Sequence, residues 1–343
     1  MAKRKYSKMS KIQPSVQTLT FAYSVESGAQ NNYIDLSQVA SLVNRRFYRQ
    51  GINWAVSGFK FLLGATAPPS GAPYSLNVKK LPNTWVMSNS WEKGFRSWQR
   101  MNNEALVESP SVKPKFLDFK VFMEAAHATA GVGANLLPVD SAGNLYTAGT
   151  WDMSEMVIPN IASSAAPGAV TELEIIWTGA NYPGSGASGK NSVSLIEGYA
   201  ASRGLPDIRD PNAPADAADV NSATPENWIS ATFNEGTSQI DEVLEDMITE
   251  NNLAPYPFEN DGVSTDTQYP GGANQAPGLE VVDWVGVSGT TVGNVTKIGG
   301  TNFQGGLIKI SNDFTGGSGN HVLLLHLVPG PHRGYMCQSM QDV

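Results

Sequence analysis

Short segments of strict two-residue alternation, each bounded by Gly, Pro, Asn or Ser, constrain this chain more than any other feature of its sequence. From Leu19 the pattern is clean. Leu19, Phe21, Tyr23 and Val25 fall on one side, and Thr18, Thr20, Ala22 and Ser24 on the other. That is the period of a strand with one buried face. Residues 116–124 repeat it, with Leu117, Phe119, Val121 and Met123 on one face and Asp118, Lys120 and Glu124 on the other. Further strands are expected at Trp54–Leu63, Met153–Ile158, Val170–Trp177, Trp228–Phe233, Leu279–Val285, Leu307–Ile310 and Val322–Val328. The last is almost continuously apolar and predicts a strand covered on both faces. About nine antiparallel strands joined by long Gly/Pro/Ser-rich loops predict an all-β fold. The expected architecture is a single jelly-roll β-sandwich of the viral capsid type, with long loops and a few short helices.

Length and composition allow one large core. The chain has 343 residues, 41% of them hydrophobic, and no visible repeat or linker between two cores. A single cysteine, Cys337, excludes an intramolecular disulfide. No apolar run reaches the roughly 20 residues of a membrane helix. The start MAKRKYSKMSK has no apolar stretch, so no secretory signal and no membrane partner are expected.

Charge is distributed unevenly. The first 120 residues hold 17 Lys and Arg against six Asp and Glu, a net of +11, whereas the remainder carries −19. Such asymmetry points to a polyanion partner for the basic part. Residues 1–11 form a basic arm with Lys3, Arg4, Lys5, Lys8 and Lys11 and no acid; residues 12–343 form the sandwich domain. Within that domain, residues from about 179 to 275 read as an acidic, loop-rich surface insertion. It has 13 acidic residues between Asp207 and Asp261, and one helix starting at Ser238. A short helix opens at Leu36, with Gly51 following its end, and Arg45, Arg46 and Arg49 lie in this stretch. Residues 90–103 have helical spacing. Trp91, Phe95 and Trp98 share one arc, while Lys93, Arg96 and Arg100 share an arc nearly opposite. The aromatic arc is expected to pin the helix to the sandwich. The basic arc can track a phosphate backbone.

Catalytic signals are weak. Gly184-Ser-Gly-Ala-Ser-Gly-Lys190 approaches a phosphate loop, but Asn191 stands where the magnesium-ligating hydroxyl belongs. His127, His321, His326 and His332 lack metal-ligand spacing. Asp261, Ser264 and Asp266 lack the order of a calcium loop. No nucleophile elbow is present. No catalytic residue, metal site or cofactor is assigned.

One resemblance joins these features. The basic arm, the strand Thr18–Val25 and the segment SLVNRRFYRQGINWAVSGFKF from Ser41 resemble capsid proteins of small circular single-stranded DNA viruses of the circovirus and smacovirus groups. Residues 84–105, the segment 116–124 and the ending LVPGPHRGY are similar to that group as well. The resemblance implies a structural, non-enzymatic coat protein. It would self-assemble with identical subunits into an icosahedral T=1 shell of about 60 copies around a circular single-stranded DNA genome, held by non-specific phosphate contacts. It also implies residence in the virion, passage through the host nucleus during assembly, and a host receptor that the sequence does not specify. The short arm departs from the long arginine-rich arm of circovirus capsids. Phosphate contacts are therefore expected at Arg45, Arg46, Arg49, Lys93, Arg96 and Arg100 as well. Two other readings stand beside this one: a jelly-roll coat of a single-stranded RNA virus, and a phosphate-loop nucleotide-binding protein.

Overall fold

The computed structural model describes residues 14–64, 74–107, 110–112, 118–159, 170–181, 183–204, 278–289, 292–314 and 318–340. The basic arm, the acidic stretch 207–261 with the strand at 228–233 and the helix at Ser238, and Asp261, Ser264 and Asp266 lie outside the described residues. The chain divides into two units, Met1–Ile196 with Pro270–Val343, and Glu197–Tyr269.

Strand order defines the first unit. In chain order its first strands and helices are β1 (Thr18–Val25), β2 (Gly28–Asp35), α1 (Leu36–Asn44), β3 (Ile52–Leu62), β4 (Tyr74–Lys80), α2 (Trp85–Val107) and α3 (Ala125–Ala130). Next come β5 (Glu155–Pro159), β6 (Val170–Ile176), β7 (Asn191–Ser194) and α4 (Leu195–Gly204). After the second unit follow β8 (Glu280–Val287), β9 (Val295–Gly299), β10 (Asn302–Phe303), β11 (Leu307–Phe314), β12 (Gly319–Leu327), β13 (Pro329–Gly330), β14 (Gly334–Tyr335) and β15 (Cys337–Ser339). One sheet runs β1-β12-β3, and β3 continues on to β9, β10 and β15. The other runs β2-β11-β4-β8. Pairing within both is antiparallel. The chain crosses from one sheet to the other at each step from β1 to β4, and again from β8 to β9, from β10 to β11 and from β11 to β12, which is the jelly-roll winding.

Alternation places the core. Leu19, Phe21, Tyr23 and Val25 are all buried, as expected, beside Phe59, Phe61, Leu323 and Leu325 of the same sheet. Ile34, Leu76, Val78, Ile308, Ile310 and Phe314 meet them from the other sheet. Strand β12 departs from expectation. Its residues are buried alternately, and Val322 is 37% exposed, so only one of its faces is covered. The strand covered on both faces is β11, whose residues Leu307–Ile310 are all buried. The segment through Glu124 supplies its outer cover: Lys309 on β11 is paired with Glu124.

Three other expectations need correction. Helix α1 is capped by Asp35, whose Oδ1 accepts from the backbone N–H groups of Ser37 (2.9 Å) and Gln38 (3.3 Å). It ends at Arg45, which takes the left-handed conformation (φ 52°), well before Gly51. Gly51 serves packing instead, because a Cβ there would lie 2.2 Å from the Trp91 ring. Residues 118–124 are extended but join the small sheet β5-β6-β7 only through Phe122, which bridges Ile176 in parallel. Phe119, Val121 and Met123 are buried as the alternation requires, yet Phe122 and Glu124 are buried too. Finally, β6 and β7 are parallel rather than antiparallel.

Register fixes which loops share an end. Thr18 of β1 pairs with His326 of β12, and His326 pairs with Gly58 of β3. Asp35 of β2 pairs with Leu307, and Lys80 of β4 with Ile308 and Glu280. One end of the sandwich therefore carries the root of the N-terminal arm, α1 and the turn after it, the start of α2 and the C-terminal strands.

Candidate nucleic-acid interface

At this end the structure brings together basic residues far apart in sequence. Arg45 is exposed at the end of α1. Arg46 Nη1 donates to the Pro14 carbonyl at 3.2 Å, holding the root of the arm against the turn. Ser15 Oγ and Gln17 Nε2 both donate to the Gly334 carbonyl at 3.1 Å. Tyr335 Oη donates to the Val16 carbonyl at 2.7 Å. These bonds fix residues 14–17, where the basic arm joins the domain, to this surface. Arg333, in a left-handed conformation (φ 51°), donates from Nη1 to the Phe47 carbonyl, and Tyr48 Oη donates to the Arg333 carbonyl at 3.0 Å. Arg46 thus holds the arm root directly, and Arg49 and Arg333 line one cavity beside Phe47. Sequence reasoning missed Arg333 and its neighbour His332. The signal was a basic pair inside the otherwise acidic remainder of the chain.

Helix α2 runs longer than expected, over 23 residues, but its faces are as the spacing predicts. Trp91 and Trp98 are 6% and 8% exposed, and Lys93, Arg96 and Arg100 are exposed. The aromatic face meets Phe119, with ring centroids 5.9 Å away from Trp91 and 5.6 Å from Trp98. Gly94 lets this face approach closely, since a Cβ there would lie 2.4 Å from Leu195 Cδ2. The basic row is less free than the sequence suggested. Arg96 Nε is 2.6 Å from Glu92 Oε1 and Arg100 Nε is 2.9 Å from Glu104 Oε1, both pairs one turn apart. Such exposed pairs hold weakly, by about 0.3–0.5 kcal/mol. A phosphate can displace them, but the row begins partly neutralised. Both arginines of α2 are therefore paired with a carboxylate of the same helix.

The other titratable groups are built into the fold. His127 is fully buried and stacks on Tyr33 with centroids 4.2 Å apart. Its Nδ1 accepts the Met123 N–H at 3.1 Å and its Nε2 meets Asn135 Oδ1 at 2.8 Å. Burial lowers its pKa to about 4, so the ring is neutral at pH 7. Asp35 is fully buried too, and burial raises its pKa to about 6 against four donors: Trp151 Nε1, the Gln38 N–H, Gln50 Nε2 and the Ser37 N–H. His321 Nδ1 accepts the Gly64 N–H at 3.0 Å, and His326 Nδ1 lies 3.0 Å from Thr18 Oγ1. Among the described residues, no three His, Cys, Asp or Glu side chains gather at metal-binding distance.

The segment Gly184–Lys190 leads into a strand, β7, rather than a helix. Lys190 Nζ is 2.5 Å from Glu155 Oε2 and 2.8 Å from Glu172 Oε2. A phosphate-binding lysine needs a free ammonium and a helix N-terminus behind the loop. This loop offers neither.

No family model matches the sequence, and no curated protein or solved structure gives a significant match.

Proposed function

We propose that the chain is a structural coat protein that assembles with copies of itself and packages single-stranded DNA through non-specific phosphate contacts. The observation that carries this reading is the joining of a jelly-roll winding to a cationic end. The sheets β1-β12-β3-β9 and β2-β11-β4-β8 form a sandwich suited to tiling a shell. Its basic arm joins the domain at Pro14, which Arg46 holds, on the face that also carries Arg333, while the rest of the sequence is acidic. A surface of one sign facing a polyanion, with the opposite sign elsewhere, orients a subunit on nucleic acid without reading bases. The reading as an RNA-virus coat shares this phosphate chemistry. Digestion of released nucleic acid by DNase or by RNase separates the two.

Salt dependence tests the interface. Affinity for single-stranded DNA should fall linearly on a log–log plot as salt rises, because bound counter-ions are released. Replacing Arg45 and Arg49 with Gln should reduce the magnitude of that slope by about 1.4, the contribution of two phosphate contacts on a single strand. An unchanged slope would remove these residues from the interface.

A further inference from the structure

The face that carries Arg49 and Arg333 also holds a cavity of about 360 Å³, within the roughly 300–1,000 Å³ range of small-ligand sites. Arg49 and Arg333, both exposed, contribute to its lining, and Trp91, Phe95 and Phe119 form an aromatic wall. The Trp91 and Phe95 rings are parallel within 10°, with centroids 5.2 Å apart, and Phe119 meets Trp91 edge-on at 66°. Phe95 is only half-buried. Two polar atoms of the lining residues lack hydrogen-bond partners. Trp91 Nε1–H is buried and unpartnered, and so is Asp118 Oδ2, which stands 3.5 Å from Lys120 Nζ at ion-pair distance only. Both atoms have almost no accessible surface, so what the cavity presents to a ligand is the half-buried Phe95 ring and the two exposed arginines. An aliphatic guest would make no use of the arginines. A simple anion would make no use of the rings.

A nucleotide uses both: a π-face for the aromatic wall and phosphates for the flanking arginines. We propose that this cavity receives one base of the single-stranded nucleic acid, with the adjoining phosphates on Arg49 and Arg333. The inference rests on the packaging function and adds to it a base-stacking contact beside the root of the arm. Such a contact tolerates any sequence, because every base presents a π-face.

The test compares two probes of equal charge on the full-length protein: a ten-residue oligothymidylate and an abasic ten-unit deoxyribose phosphate. The thymidylate should bind roughly five- to 150-fold more tightly, the gain from one stacked base. Phe95→Leu should bring that ratio towards one while leaving the abasic affinity and the salt slope unchanged. On the wild-type protein, photocrosslinking of the same oligomer bearing 5-iodouracil should label Trp91, Phe95 or Phe119. Equal affinity for both probes, or labelling confined to other residues, would overturn the base pocket and leave the coat function standing. Failure of both probes to bind would overturn both.

Discussion

Replacing Lys309 with Ala is expected to cost about 3–5 kcal/mol of stability, as removal of one partner from a buried ion pair does. Lys309 and Glu124 are 7% and 6% exposed at their side chains. Lys309 Nζ donates to Glu124 Oε1, and the same oxygen accepts from Tyr33 Oη at 2.6 Å. The ammonium also sits 5.8 Å from the centroid of the Tyr33 ring. Without Lys309 the Glu124 carboxylate keeps one hydrogen bond and no counter-charge in a site closed to water. The loss falls on the fold as a whole, because the pair fastens the segment before α3 to the outer face of β11. Replacing both residues together, with Met at 309 and Leu at 124, should recover most of the loss, since an apolar pair of similar volume has no charge to desolvate. Urea unfolding of the single and double variants checks this. A single variant within about 1 kcal/mol of wild type would mean that water reaches Glu124.

Replacing Trp98 with Ala should cost a similar 3–5 kcal/mol, whereas Gln at Lys93, Arg96 and Arg100 together should change stability by about 0.5 kcal/mol or a little more. The contrast follows from the two faces of α2. Trp98 is buried against Phe95 and Phe119. The arginines are exposed and lose only ion pairs within the helix. The two variants should also part in function. The Trp98 variant should fail to give soluble subunits, and the triple variant should fold normally but hold less DNA. Thermal unfolding combined with the nucleic-acid content of purified particles distinguishes them. A triple variant with full DNA content would make α2 an ordinary surface helix and leave the interface to the arm root.

What the sequence disclosed depends on how local the physics was. Strand β1 was legible because each side chain lies on its own face and the pattern needs no neighbour. The faces of α2 were legible for the same reason at helical period. Coverage of a strand was not legible, because it depends on what packs over the sheet. HVLLLHLV looked doubly buried and is not, while β11, with Lys309 and Asn312 in its run, is covered on both faces over its first four residues. Lys309 reads as a surface residue until its partner Glu124 is known, 185 residues away. Gly51 looked like a helix stop because glycine often is one, but its role is set by the ring of Trp91. The candidate interface was half legible. The run from Arg45 to Arg49 stood out by charge density, but Arg333 joined it only through the register of the C-terminal strands. The cavity was invisible in the sequence, since it is made where four segments distant in the chain meet.

Electron microscopy of the purified protein, before and after nuclease treatment, tests the central claim most directly. Closed shells of one uniform small diameter that retain nuclease-resistant single-stranded DNA are expected. A population that stays monomeric or forms only irregular aggregates, with single-stranded DNA present over a range of salt, would contradict it.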